Sequence, residues 1–221
     1  MDSLIIFVEI VLINLLLSGD NAIVIAMVSN QLPIHQRNKA MWWGTLVAVF
    51  LRCFLVLLAL PLLQIPFLQA FGGLLLLYIS IKLLIDMQQA QHQEINMKKV
   101  TLMSGIWTII TADFVMSLDN VLAIAAVAKG DFILIMLGIA LSIPMIIWGS
   151  KLLDHLMKRF PFLAYIGASL LAFAAGEMLI RDQGLHDIIF YKMTSSLTLI
   201  PLLCIPLVII AAILRQKPIR K

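Results

Sequence analysis

Seven apolar runs, each about as long as a bilayer is thick, leave this chain few ways to fold; they fall at residues 4–28, 40–62, 67–86, 101–128, 132–153, 162–181 and 197–214. A helix needs ~20 apolar residues to cross the hydrocarbon core. No water reaches backbone N–H and C=O groups there, so each run must satisfy its own hydrogen bonds as an α-helix. A soluble fold is excluded, because 62% of the residues are hydrophobic and only 13% charged, with a mean hydropathy of +1.04, more apolar surface than water could solvate. The expectation is an all-α polytopic membrane protein with seven transmembrane helices in one domain, residues 1–221.

The connections between runs are polar or Pro-marked, as at Pro33, Gln64-Ile65-Pro66 and Lys158 to Pro161, and none can hold a soluble domain. One side of the membrane would receive ten cations, Arg37, Lys39, Lys98, Lys99, Lys158, Arg159, Arg215, Lys217, Arg220 and Lys221, and the other three, Lys129, Arg181 and Lys192. The positive-inside rule then puts the N-terminus outside and the C-terminus in the cytoplasm. Lys82 and Lys151 lie near span ends and can snorkel, whereas Arg52 lies deeper and needs a partner. The formal charge of +4 is spread between apolar runs in no dense patch, so nucleic acid is not an expected partner. The first run carries Glu9, Asn14 and Asp20 and has no basic region before it, which marks it as a retained span and not a signal peptide. Cys53 and Cys204 sit singly among Leu, Val and Ile as small buried residues, and the four histidines fall in or beside loops, which disfavours a Zn or Cu centre.

Against this apolar background the motif Ser-x-Asp-Asn occurs twice, as Ser18-Gly19-Asp20-Asn21 and Ser117-Leu118-Asp119-Asn120. An ionisable side chain at mid-membrane costs at least ~2.5–3.5 kcal/mol, so a doubled acidic motif there points to a site. Shifting the chain on itself by 95–99 residues superimposes the two motifs, Ile65-Pro66-Phe67-Leu68 on Phe160-Pro161-Phe162-Leu163, and Gly72 on Gly167. Helices 1–3 (residues 1–90) and 4–6 (100–182) therefore read as a duplication, with helix 7 (197–214) outside it. Three spans per unit is odd, so the second copy enters the membrane inverted, an arrangement found in secondary transporters with substrate near the midplane.

The alignment pairs Asn14 with Asp113, so the two halves differ in charge. In antiparallel first and fourth helices at ~1.5 Å per residue, Asp20 comes beside Asp113 and Asp119 beside Asn14. A straight helix points Asp20 and Asp119 away from the face of Asn14 and Asp113; a local break at each Ser-x-Asp-Asn is expected to reunite them, since short polar side chains compete for backbone hydrogen bonds. Asp, Asn and Ser oxygens form a hard cage suited to Mg, Ca or Mn, and Met116 adds a soft thioether that favours a transition ion such as Mn(II). The simpler reading of Met116 is apolar filling, and that of the Asp-Asn pairs is hydrogen-bonding glue between helices, which neutral Asn would serve more cheaply. The i,i+4 pairs Lys82/Asp86 and Glu177/Arg181 read as local ion pairs, and Glu177 also as an accessory group in a cross-repeat network.

The segments Ser-Gly-Asp-Asn-Ala-Ile-Val-Ile-Ala (Ser18 to Ala26) and Ala-Asp-Phe-Val-Met-Ser-Leu-Asp-Asn-Val-Leu-Ala (Ala112 to Ala123) resemble the two signatures of the TerC family of integral membrane proteins, and the resemblance extends over nearly the whole chain. It implies a seven-helix fold in the cytoplasmic membrane, manganese export, and metal ligation by Asp20, Asn21, Asp113, Asp119 and Asn120. Asn14, Met116, Glu177, Ser117 and Ser18 are accessory candidates.

The function expected is a secondary transporter that exports a divalent metal, Mn(II) first, through this oxygen site; Mn(II) would be cargo, with no tightly bound cofactor. The partners are the ion and the lipid bilayer, with homo-oligomers left open. The alternatives are a membrane partner that metalates exported proteins and an exporter of another cation or a small cationic solute. An enzyme is not expected, since no His-Glu-x-x-His, Gly-x-Ser-x-Gly or Cys-x-x-Cys motif occurs.

Overall fold

The computed structural model describes residues 19–63, 65–92, 101–127, 132–185 and 199–215, except for the side chains of residues 57, 59–63, 89–92, 119–127, 132, 134 and 135. All regular structure among them is helical: α1 (Gly19–Asn30), α2 (Ile34–Leu63), α3 (Leu68–His92), α4 (Leu102–Val127), α5 (Phe132–Arg159), α6 (Phe162–Arg181), a three-residue turn at Gln183–Leu185, and α7 (Leu199–Leu214). By length and composition, four described segments can cross a membrane, Ile34–Val56, Leu68–Gln88, Met136–Arg159 and Phe162–Arg181, and Leu102–Leu118 and Leu199–Leu214 are shorter apolar helices. α2, α3 and α5 run beyond the apolar stretches into polar flanks such as His35-Gln36-Arg37 and Lys158-Arg159. Apolar length is matched to the bilayer, whereas helix length also follows the helix propensity of Gln, Lys and Arg.

The helices sort into two compact units. The first contains α1, α2, α4 and α5 as far as His155; the second contains α3, the end of α5, α6, the Gln183–Leu185 turn and α7. In both, alanines pack inside beside larger apolar residues such as Met27 and Leu76, and large apolar residues also face outward. Ala26, Ala168, Ala172 and Ala175 are fully buried, while Phe50, Trp148 and Trp107 are exposed. A protein in water would reverse part of this pattern; a bilayer rewards close backbone approach and tolerates exposed Phe and Leu.

In the first unit α1 packs on α2 and α4, and α2 packs along α4. The chain turns from α1 to α2 at Pro33, and Arg37 folds back to close the end of α1: its Nε donates to Leu32 O at 2.9 Å and its Nη2 to Asn30 O at 3.0 Å. The Asn30 carbonyl is one that a helix end leaves unbonded, and the Leu32 carbonyl belongs to the turn that follows. The same guanidinium lies 3.5 Å from Asp154 Oδ1 of α5.

In the second unit α6 lies against both α3 and α7. The approach depends on glycine: a Cβ at Gly73 would stand 2.7 Å from the Ala175 carbonyl oxygen, and one at Gly176 2.5 Å from Pro201 Cα. Ser80 Oγ donates across to Ala168 O at 2.8 Å and Gln88 Nε2 to Tyr165 Oη at 2.8 Å. At the other end Phe67 adopts a left-handed φ of 65° and lays its ring where a Cβ on Gly184 would be 2.9 Å away. Buried Asp182 holds this corner, with Oδ2 accepting from Ala70 N at 3.1 Å and Oδ1 from Leu185 N at 2.9 Å. Asp182→Ala strands both amides and is expected to cost about 1–3 kcal/mol, read as a lower unfolding temperature of the purified protein, with Asp182→Asn retaining part of the loss.

Two expectations are corrected here. Lys82 and Asp86 form no ion pair within 4.0 Å, although Lys82 lies within electrostatic reach of Asp86, whereas Glu177 and Arg181 pair at 3.3 Å; Lys82 and Asp86 line a cavity of about 250 Å³ with Tyr78 and Arg215. The break expected at Ser117–Asn120 is absent, since α4 runs unbroken from Leu102 to Val127. Cys53 and Cys204 are free and buried, as expected.

Candidate functional site

The polar residues of the first unit meet where α1, α2 and α4 pack together. α4 supplies Asp113, Met116 and Ser117, spaced by three and four residues and so on one face of the helix. All three are buried. α2 supplies Arg52, the largest fully buried side chain among the described residues, at 1% exposure.

Arg52 Nη2 donates to Asp113 Oδ1 at 2.5 Å and its Nε to Ser117 Oγ at 3.0 Å. Ser117 Oγ in turn donates to the other carboxylate oxygen, Asp113 Oδ2, at 3.3 Å. This triangle explains why α4 does not break. Ser117 reaches back four residues to a side-chain acceptor and α2 supplies a donor, so neither residue has to take hydrogen bonds from its own backbone. It also gives Arg52 the partner that its depth in the second apolar run requires. A buried Arg–Asp pair is costly to disrupt, about 3–5 kcal/mol when one member is removed, because the other charge is left uncompensated.

α1 supplies Asp20 and Asn21. Asp20 Oδ1 accepts from the amide of Asn21 at 2.8 Å, and Asp20 lies within electrostatic reach of both Arg52 and Asp113. Asn21 is 2% exposed, and neither its Oδ1 nor its Nδ2 has a hydrogen-bond partner among the described residues. Thr45 Oγ1, on the helix packed against α1, is also buried without one. A buried carboxamide with both ends unbonded carries a desolvation cost of ~1–3 kcal/mol that a ligand could relieve.

Of the residues singled out in the sequence, Asp20, Asn21, Asp113, Met116 and Ser117 therefore belong to one helical unit. Glu177 belongs to the second unit, half-exposed and paired with Arg181. Asn14 and Ser18, and the side chains of Asp119 and Asn120, lie outside the described residues. Among the described residues no group of three or more His, Cys, Asp or Glu side chains stands ready to hold a metal ion. Among the described residues the polar chemistry available is two carboxylates, a carboxamide, two hydroxyls and one guanidinium. Arg52 is the member that ligand-type reasoning omits, and its signal in the sequence is a cation in the middle of an apolar run. Asp154, the buried neighbour of Arg37, carries no comparable signal near the end of its helix.

The profile of the integral membrane protein TerC family matches residues 1–220. The chain belongs to the TerC family. Over 216 residues it is 44% identical to "Uncharacterized membrane protein YjbE" of Bacillus subtilis, covering 98% of this chain and 97% of that one. It is 28% identical over 178 residues to "Uncharacterized membrane protein YkoY" of the same organism, spanning 71% of this chain and 54% of the relative, and 28% identical over 191 residues to "UPF0053 protein YegH" of Escherichia coli, spanning 75% and 36%. No solved structure matches. Membership of the TerC family and the apolar helices agree on an integral membrane protein.

Proposed function

We propose that this TerC-family protein is a secondary transporter that carries a divalent cation, Mn(II) foremost, out of the cytoplasm, with its cargo site built on Asp20, Asn21 and Asp113 and completed by Asp119 and Asn120. The observation that carries the reading is Asn21: a buried side-chain oxygen without a donor among the described residues, beside one carboxylate and in the unit of another. Oxygen donors of this kind suit a hard or borderline divalent ion, and Met116 on the same α4 face favours manganese over magnesium. A seven-span inverted repeat with its N-terminus outside and its C-terminus cytoplasmic belongs to the proposal. In its support, equivalent helices of the two halves fall in the same unit: α1 and α2 with α4 and α5, and α3 with α6. A two-fold relation between repeats sorts helices in that way.

Asn21→Leu separates function from stability. The substitution keeps the volume and removes an unsatisfied polar group, so the unfolding temperature of the purified protein is expected to stay level or rise, while Mn(II) affinity falls about tenfold or more, ~1.4 kcal/mol. The direct test is Mn(II) transport by the purified protein in liposomes, measured beside Ca, Mg, Zn and Co. Mn(II) flux lost in Asp113→Asn and Asp20→Asn supports the proposal; no cation flux above that of empty liposomes overturns it.

A further inference from the structure

We infer that Arg52 is an internal cation that holds the cargo site closed, competing with the transported ion for Asp113. The inference rests on reading Asp113 as part of a cation site, and it adds the group that regulates it.

Both oxygens of Asp113 are engaged: Oδ1 by the Arg52 guanidinium and Oδ2 by the Ser117 hydroxyl. The two contacts are coupled, because Arg52 Nε also donates to Ser117 Oγ and so orients the hydroxyl that donates to Asp113. A metal ion that ligates Asp113 directly needs an oxygen lone pair turned towards it and cannot share that side of the carboxylate with a guanidinium, since the two positive charges would repel across a buried, poorly screened gap. Cargo must therefore displace the Arg52–Asp113 contact. Asn21 and Asp20 stand differently: the carboxamide has no hydrogen-bond partner among the described residues, and the hydrogen bonds described for the Asp20 carboxylate come from backbone amides, so both can take part of a cation's shell without breaking an ion pair. Binding is thus divided between α1, which offers free oxygens, and α4, whose acid is released only when Arg52 moves.

Two consequences follow. The guanidinium lowers affinity, because part of each binding event goes into parting it from Asp113. It also compensates the charge of Asp113 while the site is empty, so that this carboxylate does not stand bare in the membrane between cargoes. Arg52 is a positioning and affinity-setting residue and not a ligand.

The test is Mn(II) titration of the purified full-length protein, wild type against Arg52→Gln, Arg52→Lys, Asp113→Asn and the Arg52→Gln/Asp113→Asn double variant, with unfolding temperature recorded with and without Mn(II). Arg52→Gln should bind Mn(II) about tenfold more tightly, be less stable than wild type when empty, and recover the difference when loaded. The gain should vanish in the Asp113→Asn background, since Arg52 acts through that carboxylate. If Arg52→Gln does not fold, Arg52→Lys decides: its shorter side chain keeps the charge but lacks the planar fork that fixes Asp113 and Ser117 together, so affinity should rise by a smaller factor. A purely structural Arg52 gives the opposite pattern, with affinity unchanged or lower in both Arg52 variants and no recovery on loading, and that overturns the inference. If neither wild type nor any Arg52 variant binds a divalent cation, the cation-site reading itself falls; wild-type binding without a gain in the variants removes only the role given to Arg52.

Discussion

Asp113→Asn is expected to abolish high-affinity cation binding and to destabilise the protein in the same step. The two losses have separate causes. Binding fails because a neutral amide replaces an anionic oxygen ligand, whereas stability falls because Arg52, 1% exposed and 2.5 Å from the lost charge, loses the carboxylate it contacts in the protein interior. The expected cost is about 3–5 kcal/mol. Combining Asp113→Asn with a neutral replacement of Arg52 should recover much of that stability and none of the binding, since a buried pair exchanged as a unit costs far less than a pair broken on one side. Thermal unfolding of the single and double variants, paired with Mn(II) titration, checks both halves. A single variant as stable as wild type would show that solvent or another acid compensates Arg52, and the triangle with Ser117 would lose its structural weight.

Gly176→Ala should be the most damaging single-methyl change in the second unit. The added Cβ would meet the Pro201 Cα at 2.5 Å, the Pro201 nitrogen at 3.1 Å and the Cys204 sulfur at 3.2 Å. Two of these atoms belong to the backbone of α7 and cannot turn aside as a side chain would. α7 must move away from α6, at a cost of about 1–3 kcal/mol or more, and small-residue contacts are the main source of helix association when lipid is the surrounding solvent. Gly19→Ala meets nothing within 4 Å and is the matched control, expected near wild type for stability. Yield and monodispersity of the detergent-purified variants, with unfolding temperatures, read the effect; equal behaviour of the two alanine variants would contradict the packing described for α6 and α7.

Parts of this molecule were legible because the forces behind them act locally. The run at 162–181 coincides with α6, Phe162–Arg181, since Pro161 precedes it and a polar stretch follows. The i,i+4 spacing of Glu177 and Arg181 was enough to foresee their ion pair. The same spacing misled at Lys82 and Asp86, because these side chains border a cavity and a surface attraction of a few tenths of a kcal/mol does not hold them together. The helix break at Ser117–Asn120 misled for a different reason: propensity tells what Ser and Asp do to a backbone when no other partner is near, and here α2 brings one.

The sequence by itself determined that this is a helical membrane protein with an acidic motif repeated in its apolar runs, because a backbone without water must bond within its own helix and the cost of a buried charge is a property of the residue alone. It also marked Arg52 as a cation in want of a partner. Only the tertiary structure decided which acid answers it. Arg52 and Asp113 are 61 residues apart in the chain and meet because α2 packs along α4. Side-chain pairing across helices depends on rotation and register, which residue spacing within one helix does not encode. The same packing leaves Asn21 buried without a hydrogen-bond partner among the described residues, and so separates the acid that is already engaged from the carboxamide.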